Sequence, residues 1–248
     1  MTERILGVLG GMGPLASAQF MVRLTLLTAA DLDQDHVPAI LWSDVRLPDR
    51  APSLLGHPGA ADPLPYLRRG IDILKYAGCS AMVMPCNTAH GWSDLLGAEG
   101  LPLIHIVDAC AADLRASLRP GATVGIMGTV ATLRLRLYQD RLERLGWRCI
   151  EPTEAETRDV MMPAIAAVKG NRVAESYAPT AGIIQALVAR GAQAVILGCT
   201  ELPISLQAGP GGEAEMLRQG VPVVDSIDAL ARAAIGWARG EAAIVRAP

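Results

Sequence analysis

Cys86 and Cys199 are the residues of this 248-residue chain whose type and setting point most directly to chemistry. Each closes an apolar run, residues 81–84 before one and 194–197 before the other. Each also stands before polar residues able to open a helix, Asn87 and Thr88 in one case, Thr200 and Glu201 in the other. In open α/β sheets, ligands bind outside the carboxyl ends of the strands. Backbone N–H groups at a following helix start would lower a thiol pKa and hold a carboxylate. Two such thiols across a cleft can exchange protons with carbon. One thiolate removes a proton and the opposite thiol returns one to the other face, which inverts a stereocentre without a metal or an organic cofactor. A lone buried cysteine at a strand end is more often an inert apolar residue. The matched pair, each with a threonine within two residues, is what argues for catalysis. Cys79, Cys110 and Cys149 lack that setting and are assigned to packing.

The elements that must position these thiols are short. Apolar runs predict strands at 5–9, 40–45, 81–84, 103–106, 123–127, 148–150, 194–197 and 221–224. Helical periodicity fills 14–31, 62–77, 108–118, 133–145, 173–190 and 225–238. Such alternation implies an α/β fold with largely parallel sheets. Residues 49–59 form the longest irregular stretch, and leucines alternating with arginines over 133–145 read as one helix with a solvated face.

An internal repeat organises the chain. AGCSAMVMPCNT (77–88) resembles RGAQAVILGCTE (190–201), LPLIHIVDA (101–109) resembles VPVVDSIDA (221–229), and GVLG (7–10) echoes GIMG (125–128). The three matches occur in the same order at similar offsets. They imply two similar α/β domains related by a pseudo-twofold, each a mainly parallel sheet flanked by helices, with the active site in the cleft between them. The expected domains are residues 1–107 joined by a C-terminal helix, 225–248, and residues 108–224.

Composition excludes several function classes. With 22 basic and 25 acidic residues the net charge is −3, which supplies no electrostatic reason to bind nucleic acid. Hydrophobic residues make up 51% of the chain, enough for a buried core. No uncharged apolar run reaches the roughly 18 residues of a membrane span. MTERILGVLG already reads as the first strand, so no signal peptide is expected. Five cysteines without a secretion signal favour the reducing cytoplasm and thiols over disulfides. His36, His57 and His105 have no metal-ligand spacing with the cysteines, and no metal site is expected.

Two residues beside the thiols stand out. His90 lies one helical turn beyond Cys86 and could tune it electrostatically, or could serve packing or capping. Glu201 could orient the Cys199 thiol or a threonine hydroxyl, or cap the helix start. Residues Gly11-x-Gly13-x-x-Ala16 follow a strand and open a helix, formally a dinucleotide-binding pattern, which makes a nicotinamide-dependent oxidoreductase the rival from another class. Pro14 directly after the second glycine, and an acid (Asp44) well beyond the roughly 20-residue spacing to a ribose-binding acid, argue against it. A third class is a non-catalytic protein that clasps a small dicarboxylate between its lobes.

GVLGGMGPLA (7–16), MPCNTAH (84–90) and GCTELP (198–203) together resemble the three signature segments of the aspartate/glutamate racemase family, and specifically its aspartate racemase branch. The resemblance runs along nearly the whole chain, including LPDR (47–50) and the stretch 152–171. It implies cofactor-independent racemization of an acidic amino acid, L-aspartate to D-aspartate, with Cys86 and Cys199 as the two acid/base thiols. It also implies that Arg50 and Lys169 meet the substrate's side-chain carboxylate. Met12, Asn87, Thr88, Thr129 and Thr200 would hold the α-carboxylate and line the site, and the assembly would be a homodimer. Physical logic agrees, since a carbanion beside a carboxylate needs neutral donors around it, and a second carboxylate calls for a fixed cation such as the Arg50 fork. Glutamate racemases proper carry Asp-Ser where this chain has Gly10 and Gly11, and His where it has Glu201. Glutamate and broad-spectrum racemization are the alternatives within the family.

Overall fold

The seven strands among the described residues are short and mostly apolar, and all pair in parallel. The computed structural model describes residues 4–97 and 99–244. By contact the chain divides into two compact units, Met1–Ala109 with Ile227–Pro248, and Cys110–Ser226. Each boundary lies two residues beyond the one read from the sequence. Residues 1–3 and 245–248 of the expected first domain lie outside the described residues.

In the first unit β1 (Leu6–Gly10) lies between β2 (Ala39–Ser43) and β3 (Ala81–Val83), all parallel. The helix Leu64–Tyr76 turns Leu67, Ile71 and Leu74, spaced for one helical face, into the core. These join Leu9, Met12, Met82, Met84 and Cys86 in one buried cluster. The expected strand at 103–106 shrinks to a single parallel bridge between Met82 and Leu103, because Ile106 already starts the helix Ile106–Ser117. The helix Ser226–Ala238 completes this unit. Its Asp228 receives two hydrogen bonds from Arg23, at 2.6 and 2.8 Å, and the Trp237 carbonyl accepts one from Arg4.

In the second unit the order is β5-β4-β6-β7, where β4 is Thr123–Gly128, β5 Arg148–Ile150, β6 Ala194–Gly198 and β7 Val223–Asp225. The helix Tyr177–Ala189 buries Thr180, Ile183, Ile184 and Leu187. Both units are mixed α/β, each with a parallel sheet flanked by helices. The strand order of the first unit recurs in the second: β1 and β4 are central, β2 and β5 flank them on one side, and β3 and β6 on the other.

Two expectations fail locally. The stretch 49–59 is not wholly irregular, because Asp49 accepts a hydrogen bond from the Ala51 N–H and caps a short helix, Arg50–Leu54. The single helix at 133–145 is instead two, Val130–Arg134 and Gln139–Arg144. Between them Arg136 adopts a left-handed φ of +52°, held by Asp140 and Glu143 at 2.7 Å each. The break lets Tyr138 turn inward, where it is completely buried.

Candidate active site

In the first unit, six of the residues singled out by sequence gather around the carboxyl ends of β1 and β3. Cys86 is buried, and its N–H donates to the Met84 carbonyl at 2.7 Å. Asn87 and Thr88, both buried, lead directly into a 3-10 turn, Thr88–Trp92. His90 grips the backbone of the catalytic candidate: its Nδ1 lies 2.9 Å from the Cys86 carbonyl, and its Nε2 accepts from the Ile106 N–H at 3.3 Å. A carbonyl can only accept, so Nδ1 carries the proton, Nε2 does not, and this pattern defines a neutral imidazole. The ring meets His105 edge-on at 4.5 Å. Through these two bonds His90 holds the main chain at Cys86, which fits the packing or capping alternative read for it.

The glycine-rich segment has a packing reason. Gly11 has φ +87°, and a Cβ there would fall 2.5 Å from the Asp44 carbonyl oxygen. Its N–H is committed to the Ser17 hydroxyl at 3.0 Å, which in turn donates to the Gly13 carbonyl at 2.8 Å. Asp44 is itself occupied by Arg46, whose guanidinium holds the carboxyl down to about 2. Met12 follows this segment into the same core cluster as Cys86.

Arg50 opens the capped helix and is buried, 9% exposed. It donates to the Pro48 carbonyl at 3.2 Å and the Met12 carbonyl at 3.4 Å. Its Nε is buried and meets no hydrogen-bond partner among the described residues. Asp49 beside it caps the helix instead of pairing with it. A buried guanidinium answered only by carbonyls keeps its fork available for an anion.

In the second unit Thr129 and Cys199 leave the adjacent strands β4 and β6 one residue beyond the paired Gly128 and Gly198. Thr129 caps the helix Val130–Arg134, accepting from the Thr132 N–H at 3.2 Å, with the two hydroxyls 3.0 Å apart. The Cys199 thiol donates to Glu201 Oε2 at 3.0 Å, and the buried Thr200 hydroxyl reaches the same oxygen at 3.4 Å. Lys169 ends the helix Met162–Lys169, exposed, close enough to favour the Cys199 thiolate.

The expectation of a lowered thiol pKa at a helix start is overturned at Cys199. Burial pushes this thiol well above its usual range, and the Glu201 carboxylate pushes it further; Lys169 and the Glu201 N–H pull the other way and lose. Beneath it lies Tyr138, which sequence reasoning missed. Its ring would be 3.0 Å from a Cβ at Gly198 and its hydroxyl is 3.5 Å from the Cys110 Sγ, so burial drives that phenol upward too. The lone tyrosine interrupting an arginine–leucine alternation was the available signal. Cys79 and Cys149 are thiols with pKa values raised by burial, Cys149 to about 12. Among the described residues, no group of three or more His, Cys, Asp or Glu side chains is placed to hold a metal ion. No described helix is long and apolar enough to cross a membrane.

Comparison with known proteins bears on both units. The aspartate racemase of Picrophilus torridus is similar in structure, with a TM-score of 0.79 and 29% identity over 95% of this chain and 94% of that one. An aspartate racemase homologue from Pyrococcus horikoshii shares the fold, with a TM-score of 0.70 and 22% identity over 96% of this chain and all of that one. In sequence, the glutamate racemase of Pseudomonas entomophila is 27% identical over 90% of this chain and 76% of its own length. A family model described as Asp/Glu/hydantoin racemase matches residues 9–234, so the chain belongs to the Asp/Glu/hydantoin racemase family.

Proposed function

We propose that this protein racemizes an acidic amino acid, interconverting L- and D-aspartate, with Cys86 and Cys199 as the two acid/base groups and no cofactor. The observation that carries the reading is the equivalence of β3 and β6 in the repeated strand order, each leading into a buried cysteine followed by a buried polar residue. The chemistry requires one sulfur at each face of the substrate's Cα. A thiolate takes the α-proton, and the opposite thiol delivers its own proton to the carbanion from the other side.

The substrate class rests on Arg50. A buried fork whose neighbouring acid, Asp49, is spent on capping the helix suits a side-chain carboxylate, and Lys169 adds a second, exposed cation. Asn87, Thr88, Thr129 and Thr200 supply donors for the α-carboxylate without adding a competing acid, and Met12 lines the site. The working assembly in this reading is a homodimer.

Glutamate is the second reading, favoured by the likeness to glutamate racemases. Proton NMR in D₂O of L-aspartate with the reduced protein and no additive tests both. Loss of the Cα–H signal with appearance of D-aspartate on chiral analysis is the expected result. Exchange of glutamate alone would replace the substrate, and silence on both would reject racemization of acidic amino acids.

A further inference from the structure

The Cys199 sulfur donates to a carboxylate, that of Glu201. Glu201 is almost fully buried, 3% exposed, and it spends Oε2 on the Cys199 S–H. Its other oxygen, Oε1, is buried and meets no hydrogen-bond partner among the described residues. Ejecting the Cys199 proton would leave a thiolate about 3 Å from a carboxylate oxygen in a buried place, where like charges oppose one another strongly. The other charged or titratable neighbours are Lys169, which favours the thiolate from the end of its helix, and Tyr138, whose buried phenol is linked to Cys110.

We propose that Glu201 is a positioning residue that keeps Cys199 protonated at rest, so that the two thiols enter each turnover in unequal states. The proposal rests on the two-thiol reading above. If Cys199 begins as the acid, Cys86 begins as the base. The Cys86 thiolate takes the α-proton and becomes a thiol, and the carbanion takes the Cys199 proton and leaves a thiolate beside Glu201. That product state is the disfavoured one, and proton return to Cys199 resets the enzyme. Turnover in the opposite direction must start from the disfavoured state, so the two enantiomers should show different pH dependences of kcat and of KM taken separately, while kcat/KM stays equal for both because enantiomers are equally stable.

The test reads the thiols directly. Cys86 and Cys199 are equally buried, 5% exposed each, so their alkylation rates compare protonation more than access. The full-length protein is treated with iodoacetamide over a pH series, and each cysteine is followed by peptide mass spectrometry. In the native protein Cys86 should react first and Cys199 only at a pH well above the ordinary thiol midpoint of about 8.5. Glu201→Gln replaces an acceptor by an amide that can donate to sulfur. It should lower the Cys199 midpoint by at least a unit and raise its rate near neutral pH by about tenfold. A purely structural role for Glu201 would not move that midpoint downward. An unchanged or raised midpoint in Glu201→Gln overturns the proposal. So does a native Cys199 that alkylates as readily as Cys86 or titrates near 8.5, a result that needs no variant to fold. Alkylation requires no turnover, so a shifted midpoint in a protein silent on amino acids would reject the racemase reading alone.

Discussion

The ends of β3 and β6 occupy the same place in two copies of one strand order, and the bonds described there reach different atoms of the two cysteines. At Cys86 the described contacts grip the main chain: Met84 takes the N–H, and a neutral His90 takes the carbonyl. At Cys199 the grip is on the sulfur itself, through Glu201. A main-chain grip fixes where a thiol points, whereas a carboxylate on the sulfur decides whether it keeps its proton. The two strand ends thus share a position while the bonds described around their cysteines differ. The proposed reaction would have use for that difference, because two-thiol racemization needs one acid and one base at any moment.

The largest effect should come from deleting either thiol. Cys86→Ala and Cys199→Ala should each lower racemization by about 10³-fold or more, at the strong end of general acid–base effects. The comparison is sharpened by exchange in D₂O without inversion. Cys199→Ala keeps the residue that starts as base, so one enantiomer should still exchange its Cα–H. Cys86→Ala should exchange more slowly, because its remaining thiol is held by Glu201. Near-full racemization by either variant would break the two-thiol reading, and equal exchange by both would erase the asymmetry.

Arg50→Ala comes next. Loss of a charge-assisted contact worth about 1.5–3 kcal/mol should cost about 10- to 100-fold in kcat/KM on aspartate. Alanine, lacking the side-chain carboxylate, should be nearly indifferent to the change. Chiral assays on both amino acids decide this, and equal losses would remove Arg50 from substrate recognition.

Much of this was legible in the residues. Apolar runs bounded by glycine or proline placed the strands, and the repeated segments around Cys86 and Cys199 predicted the recurring order. The short helix at Arg50 also had a readable start, Asp49 followed by Pro52 in the first turn, where proline is tolerated. What escaped depended on tertiary burial. The leucines and arginines over 133–145 read as one helix, and the lone Tyr138 among them does not by itself say that it must turn inward and break that helix. For Glu201 the sequence left orienting the Cys199 thiol, orienting a threonine hydroxyl and capping as alternatives, since residues two apart do not share a helix face. The bond to the thiol forms because Cys199 precedes the helix Glu201–Gln207 while Glu201 begins it.

Among the described shifts, burial retains the acidic protons of Tyr138, Cys149 and Cys199 in the second unit, and that of Cys79 in the first. Their pKa values are higher folded than unfolded. Their stabilising contribution is complete below the unfolded values and drains away as pH rises toward the folded ones. For Cys149 that window runs from 9.0 to about 12. Hydrogen exchange from pH 8 to 10.5, corrected for intrinsic rates, should show residues 110–226 losing protection before residues 4–109. Simultaneous loss, or earlier loss in the first unit, would contradict this.

The smallest expected effect bears most narrowly on the contrast between the two thiols. Lys169 favours the Cys199 thiolate, so Lys169→Ala should raise the Cys199 alkylation midpoint, opposite in sign to Glu201→Gln. Because Lys169 is exposed and water screens it, the shift should be about half a pH unit and should shrink at high salt. Cys86, whose described contacts are main-chain bonds, should keep its native alkylation profile in this variant. A downward shift at Cys199 would mean that the cation acts on Glu201 more strongly than on the thiol. Salt independence would mean that the lysine shapes the site by packing its stem and not by its charge.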